Sequence, residues 1–396
     1  MSFDSFSPSL ERLYDRLAGR LRKFPLFAVV GSMKDDSKIV IAVMGVKETA
    51  YQLAKTLCLQ SERVYPIGRA FCQQVYTSRC LGAQLAALCF PSQYMHNLED
   101  KDYFALPEVT FSLDLRESSS KIMSKMSRRR RRDIRKLATL DYSYFVSRRN
   151  RQAFEFFYWK MYVPYAQERF KDAAYVEPYL KLRSMYNRNG GVLFVRSGKK
   201  TVSGILFKIK NRTVSALNLG INLGDPDLVR ELVGQKALES LIEWGKSQRF
   251  ERLDYGSALP FLNDGLFVYK KEWGMRIERT AENCFCVLRI DPSEQSCLSF
   301  LRQNPFIFLH KGEMKAFILV DHHVERTELS RIASEYLVPG LGSLMVMSYD
   351  KLTPHKTGDL EGLITTDANH DWPKPVYVLT DKLKKNGFSI AIVELR

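Results

Sequence analysis

A chain of 396 residues is too long for one ordinary core, so two or three domains are expected. It is 45% hydrophobic and 26% charged, the balance of a soluble globular protein. Sixty Lys+Arg against 44 Asp+Glu give a formal net charge of +16, an attraction to anions that does not choose between nucleic acid, phosphorylated cofactors and acidic lipid surfaces. No apolar run approaches the roughly 20 residues of a membrane-spanning helix. The start, MSFDSFSPSLERLYDRL, lacks the basic and apolar stretches of a secretory signal. The seven cysteines are odd in number and form no Cys-x-x-Cys pair, which fits free thiols in a reducing cytoplasm.

Residues 1–115 read as an N-terminal α/β region. LFAVVGS and KIVIAVMG, joined by a polar turn, predict a hairpin. ETAYQLAKTLCL has helical spacing, and VTFSLDL closes the region as a strand. Residues 116–150 break the composition. They hold twelve Lys/Arg and three acids, nine of the sixteen net charges. Ile122, Met126, Ile134 and Leu137 fall near one face of a helix, with a cap among Ser118 to Ser120. The run Arg128, Arg129, Arg130, Arg131 and Arg132 wraps most of its circumference. Most of these arginines are expected in water, with one or two meeting polyanions.

A regular alternation follows. YSYFVS is a strand, and residues 150–170 are an aromatic-rich helix with Phe154, Phe157, Tyr158 and Met161 on one side. VEPYLKLRSMYNR is a shorter helix. GVLFVRS, TVSGILFKIK and RTVSALNLGIN form an antiparallel meander through tight polar turns. ALESLIEWGKSQ is a helix, FERLDYG a strand, NDGLFVYKKEWG a short helix, and MRIERTAENCFCVLRI one or two strands. Residues 294–396 read as a small C-terminal α/β domain with five strand-like runs and the helix ERTELSRIASEYL.

The strings LNLGIN, ALESLIEWGKSQRFERLDYGS and DGLFVYKKEWG, preceded by SKMSRRRRRDIRKL, resemble the CelD-like group of GNAT-fold acyltransferases, relatives of the FemAB peptidyl transferases. The resemblance covers residues 116–290. It implies a mixed, mostly antiparallel sheet flanked by helices. It also implies transfer of an acyl group from acetyl-CoA or another acyl-CoA to an amine acceptor, in cell-envelope or polysaccharide metabolism. One feature departs from many GNAT enzymes: the stretch Asp227 to Lys236 has only Gly234 where a glycine-rich loop would wrap the pyrophosphate. Related enzymes use aminoacyl-tRNA instead, and a non-catalytic module that keeps the fold is the third alternative.

In this fold two adjacent strands splay apart and expose backbone N–H groups to the acyl oxygen. Here they would be 213–221 and 250–256, with Leu219, Gly220 and Ile221 as donors. The amides of Val233, Gly234, Gln235 and Lys236 at the next helix start would meet phosphates. Asp254 ends a strand beside the cleft and could take a proton from the amine, or cap the next turn. Tyr269 and Lys270 are the other catalytic candidates, Lys270 as an oxyanion or acidic-group partner. Lys271, turned about 100° away, is expected in solvent. Trp273 is expected in the core. Tyr162, Tyr165 and Arg169 could line an acceptor pocket; the plainer expectation puts the two tyrosines against the meander, with Arg169 reaching water. No histidine falls in residues 116–290, so neither a His triad nor a metal site is expected there.

Overall fold

The computed structural model describes residues 108–171 and 176–279 continuously. It also describes 23–32, 38–44, 62–71, 85–91, 103–105, 284–290, 295–310, 313–320, 326–349 and 388–394. The segments ETAYQLAKTLCL and PVYVLTD, read above as a helix and a strand, lie outside the described residues.

The chain forms two compact units. One joins residues 1–109, 259–268 and 279–396; the other joins 110–258 and 269–278. In the first unit, strands from both ends of the chain share one ten-stranded sheet. Lys23–Ser32 and Lys38–Met44 pair antiparallel, as the hairpin pattern predicts. The C-terminal strands join the same sheet through Phe306–His310, which pairs with Tyr103–Ala105. The three regions read from the sequence are therefore drawn differently here. Val109–Asp114, expected to close the N-terminal region, lies in the second unit's sheet. Cys284–Ile290, expected to end the acyltransferase region, lies in the first. A strand's partner is set by packing with distant segments, which local patterns do not encode.

The second unit is a seven-stranded mixed sheet with helices. Its strands are β1 (Val109–Asp114), β2 (Tyr142–Ser147), β3 (Gly190–Ser197), β4 (Lys200–Lys210), β5 (Thr213–Ile221), β6 (Arg252–Ala258) and β7 (Arg276–Arg279). Their order is β7-β1-β6-β5-β4-β3-β2. β2 through β5 pair antiparallel in sequence, the predicted meander with the preceding strand on its edge. The helices are α1 (Ser119–Lys125), α2 (Arg128–Leu137), α3 (Arg151–Phe156), α4 (Val163–Phe170), α5 (Tyr179–Asn189), α6 (Pro226–Arg230), α7 (Val233–Ser247) and α8 (Gly265–Glu272). Residues 269–272 of α8 belong to this unit.

Helices cover both faces of the sheet. Leu206 of β4 packs with Phe154, Met161 and Tyr186 of the α3–α5 region. The next residue, Phe207, points the other way, and its ring lies 4.7 Å from Trp244 of α7. α3 runs into α4 through a π-helical turn, Phe157–Tyr162, in which the Val163 N–H bonds to the Tyr158 carbonyl. Pro164 follows at once and has no N–H to give the Lys160 carbonyl, so the α-helical register fails locally. The turn packs on β5. Gly220 permits that contact: a β-carbon there would sit 2.8 Å from the Met161 side chain and the Tyr162 nitrogen.

The basic segment folds as two helices rather than one. Ser118 caps α1 by accepting from Lys121 N–H, and Ser127 caps α2 by accepting from Arg130 N–H. The break falls between them because Ser127 offers the backbone a cap in place of a helical bond.

Candidate active site at the parting of two parallel strands

β5 and β6 pair in parallel only at Thr213–Arg252, Val214–Leu253 and Ser215–Asp254. Beyond that point β5 runs on to Ile221 and β6 to Ala258 without further register to each other. On its other side β5 slips register against β4 between Ala216 and Asn218. This bulge bends the strand at the point where it leaves β6. The expected divergence at the carboxyl ends of 213–221 and 250–256 is thus present in the backbone.

Asp254 is the last paired residue. Its Oδ2 accepts from Ser215 Oγ at 3.1 Å, and its Oδ1 accepts from the Gly256 N–H at 3.0 Å. Gly256 has φ +68°, a conformation most side chains avoid, and open space around its Cα. Asp254 therefore caps the turn that ends the pairing.

Tyr255 follows, and its ring lies 6.4 Å from that of Tyr269. Burial pushes the Tyr255 phenol well above its ordinary range, and the adjacent Tyr269 adds to the effect. Burial also raises Tyr269, against the pull of the Arg130 cation. Lys270 is 3% exposed, and its Nζ donates to the Ser257 carbonyl at 2.7 Å. The same nitrogen lies 5.4 Å from the centre of the Phe111 ring and 5.5 Å from that of Tyr255. Lys271 is half-buried. Trp273 is fully buried, as expected of a core anchor. Asp264 caps α8, its Oδ1 accepting from the Leu266 and Phe267 N–H groups.

Tyr165 on α4 is a third phenol, buried where Tyr255 and Tyr269 are half-buried, and Arg169 donates to its hydroxyl at 2.6 Å while staying exposed. Arg130 is the largest departure from expectation. It belongs to the arginine run read as a solvated or phosphate-binding surface, yet it is 2% exposed. Its Nη2 bonds to Glu272 Oε2 at 2.9 Å, and its guanidinium covers the rings of Tyr269 at 5.1 Å and Trp273 at 5.0 Å. Arg131 turns back on its own segment, donating to the Ser124 and Met126 carbonyls. Arg128, Arg129 and Arg132 remain exposed. One sequence signal marks Arg130: it stands four residues after Met126 and four before Ile134, on the apolar stripe of the segment. Tyr255 gave no such signal beyond its place beside Asp254.

The residues expected to meet a donor's phosphates line the start of α7. Leu232, its N-cap, is left-handed at φ +65° and supplies no side-chain cap. The N–H groups of Val233, Gly234 and Gln235 fall in the first turn, where a helix makes no internal bond for them. Val233 and Gly234 are buried, with Gly234 against the Leu219 side chain and Val233 accepting from buried Ser203 Oγ at 2.8 Å. Gly220 and Ile221 are buried and Leu219 half-buried. Gly220 and Gly234 thus serve helix packing. Lys236 is paired with Glu239 at 3.0 Å. Burial raises the Glu239 carboxyl, and Lys236 opposes that shift. Among the described residues no group of three or more His, Cys, Asp or Glu side chains is placed to hold a metal ion. No helix among them is long and apolar enough to cross a membrane.

No family model and no curated protein matches the sequence. Solved structures do match. They include FemX, at TM-score 0.36 and 11% identity over 69% of this chain and 90% of that one. The C-terminal domain of a putative lysylphosphatidylglycerol synthetase from Agrobacterium fabrum matches at 0.32 and 12%, over 73% and 94%. The PaiA N-acetyltransferase from Thermoplasma acidophilum, solved with coenzyme A, matches at 0.25 and 15%, over 38% and 99%.

Proposed function

We propose that the second unit transfers an acyl group to an amine, with acyl-CoA as donor. The observation that carries this reading is the parting of β5 and β6 after Ser215 and Asp254, with Tyr255, Tyr269 and Lys270 gathered at the opening. An acyl carbonyl laid along the free half of β5 would take backbone N–H donors from Leu219 to Ile221. Those donors stabilise the oxyanion that forms when the amine nitrogen attacks the carbonyl carbon. Asp254 would accept the proton the nitrogen loses. Tyr269, kept protonated by burial, would give its proton to the thiolate released when the C–S bond breaks. The uncapped first turn of α7 would face the donor's phosphates.

A second reading, an aminoacyl ester on tRNA as donor, is favoured by one observation. Lys236 is already neutralised by Glu239, which weakens the site for a pyrophosphate, while Arg128, Arg129 and Arg132 stay exposed on α2. Thermal shift of the full chain with acetyl-CoA, free coenzyme A, aminoacyl-tRNA and uncharged tRNA separates the two. Stabilisation by coenzyme A species at micromolar concentration supports the first donor. Stabilisation by charged tRNA alone supports the second. No response to either overturns acyl transfer in favour of a binding module.

A further inference from the structure

The chemistry above does not use Arg130, although it is the most deeply placed charge of the basic segment. A buried ion pair is seldom the most stable way to fill such a space, since apolar side chains of similar volume often do as well or better. Two of its guanidinium nitrogens, Nε and Nη1, make no hydrogen bond; Nη1 lies 3.6 Å from Asp133 Oδ2. Stability alone therefore leaves the charge unexplained. Its surroundings are specific. Asp133 comes from its own helix, and Glu272, Tyr269 and Trp273 come from α8 and the residue after it. Arg129 also approaches Glu272, at 4.0 Å. Behind Tyr269 lie Tyr255 and, over the Tyr255 ring, Lys270.

The backbone reinforces the contact. The Ser127 N–H bonds to the Glu272 carbonyl at 2.9 Å, at the turn where α2 begins. The start of α2 and the end of α8 are thus joined twice, once through main chain and once through the Arg130–Glu272 pair. The same guanidinium lies over the Tyr269 ring, 5.1 Å from its centre.

We propose that Arg130 is a positioning residue, whose guanidinium, anchored on Glu272, fixes the ring of Tyr269 and so aims its hydroxyl at the opening between β5 and β6. The inference rests on the acyl-transfer reading for the use of that hydroxyl. A cation over the ring does two things at once. It restricts the ring to one plane, and it stabilises the phenolate left when the proton departs. Lysine would supply the charge but not the flat surface that covers both rings.

The test is made on the full chain and reads Tyr269 directly. Tyrosinate absorbance is followed through alkaline pH for the wild type and for Tyr269→Phe, and the difference is the Tyr269 titration. In Arg130→Met the same difference, taken against the double variant, is expected to move to higher pH by about one unit. Arg130→Lys is expected to keep the titration near that of the wild type. Its turnover should drop about tenfold or more through lost aim, with the donor KM unchanged. An Arg130→Met protein that melts as a folded chain with an unmoved Tyr269 titration overturns the proposal. If Arg130→Met does not fold, Arg130→Lys decides: full turnover overturns the proposal, and a loss confined to kcat supports it. The titration needs no turnover. A shifted titration in a chain that transfers no acyl group would sink the acyl-transfer reading while leaving Arg130 in control of Tyr269.

Discussion

Lys270 Nζ donates a 2.7 Å hydrogen bond to the carbonyl of Ser257, tying α8 to the last residues of β6. The bond crosses from the helix that carries Tyr269 to the strand that carries Asp254 and Tyr255. Its neighbour Lys271 is half-buried. Lys270→Ala removes a buried cation and leaves the Ser257 carbonyl without this donor, which is a recognised cause of large destabilisation. If Lys270 also meets the developing oxyanion, turnover falls on the order of 100-fold, the size for loss of one oxyanion donor. Lys271→Ala is expected to change it little. Steady-state kinetics of the two purified variants, with melting curves alongside, check this; equal and small effects would place Lys270 outside the chemistry.

Gly220 gives a prediction that concerns packing alone. An added β-carbon meets Met161 and the Tyr162 nitrogen at 2.8 Å, inside the π turn rather than at a flexible side-chain tip. The turn's main chain lies against Gly220, so the added carbon has backbone to displace. Gly220→Ala should therefore cost about 1–3 kcal/mol, the range for overpacking a filled core. Urea denaturation reads it as a lower midpoint with an unchanged slope. A neutral result would show that the Met161–Tyr162 backbone moves freely.

Local pattern made the strands and helices of the second unit readable. Phe154, Phe157, Tyr158 and Met161 repeat at helical spacing and are all buried; the meander follows from its tight turns. Two things escaped. The strand partners of Val109–Asp114 and Cys284–Ile290 depend on segments far away in sequence. The burial of Arg130 escaped because a run of five arginines dominates the local signal, and the apolar stripe passing through it is only visible across the break at Ser127. Asp254 and Lys270 were singled out from the strand end and the Tyr-Lys-Lys run, and their surroundings at the parting of the strands now define what each can touch.

The exposed arginines of α2 invite a binding measurement. Arg128, Arg129 and Arg132 stand in solvent, whereas Arg130 and Arg131 are occupied. Replacing the three exposed residues by Gln should leave the melting temperature nearly unchanged and weaken binding to a polyanion. If all three contact phosphates, the slope of log K against log salt should shrink by roughly 2 to 3. Filter binding to tRNA across a salt series measures this. An unchanged slope would remove α2 from any polyanion surface.

The paired tyrosines make stability depend on alkaline pH with a definite sign. Both phenols are raised above their ordinary value of 10.0, chiefly by burial. Below pH 10 they are protonated in both folded and unfolded chains, and the full contribution to stability is present. As pH rises through 10 the unfolded phenols ionise first, while the folded ones hold their protons. The folded state then binds more protons than the unfolded state, so stability falls with pH. Each tyrosine contributes a slope of up to about 1.4 kcal/mol per pH unit in that window. Other buried tyrosines add to the total, so the useful quantity is the difference between the wild type and a Tyr255→Phe, Tyr269→Phe double variant. Urea melts at pH 9, 10 and 11 (set around the ordinary value of 10.0) should show that difference changing little at first and then turning against the wild type. A difference that stays flat through the series would mean that both phenols ionise freely in the folded chain, and that neither is held as a proton donor at the parting of β5 and β6.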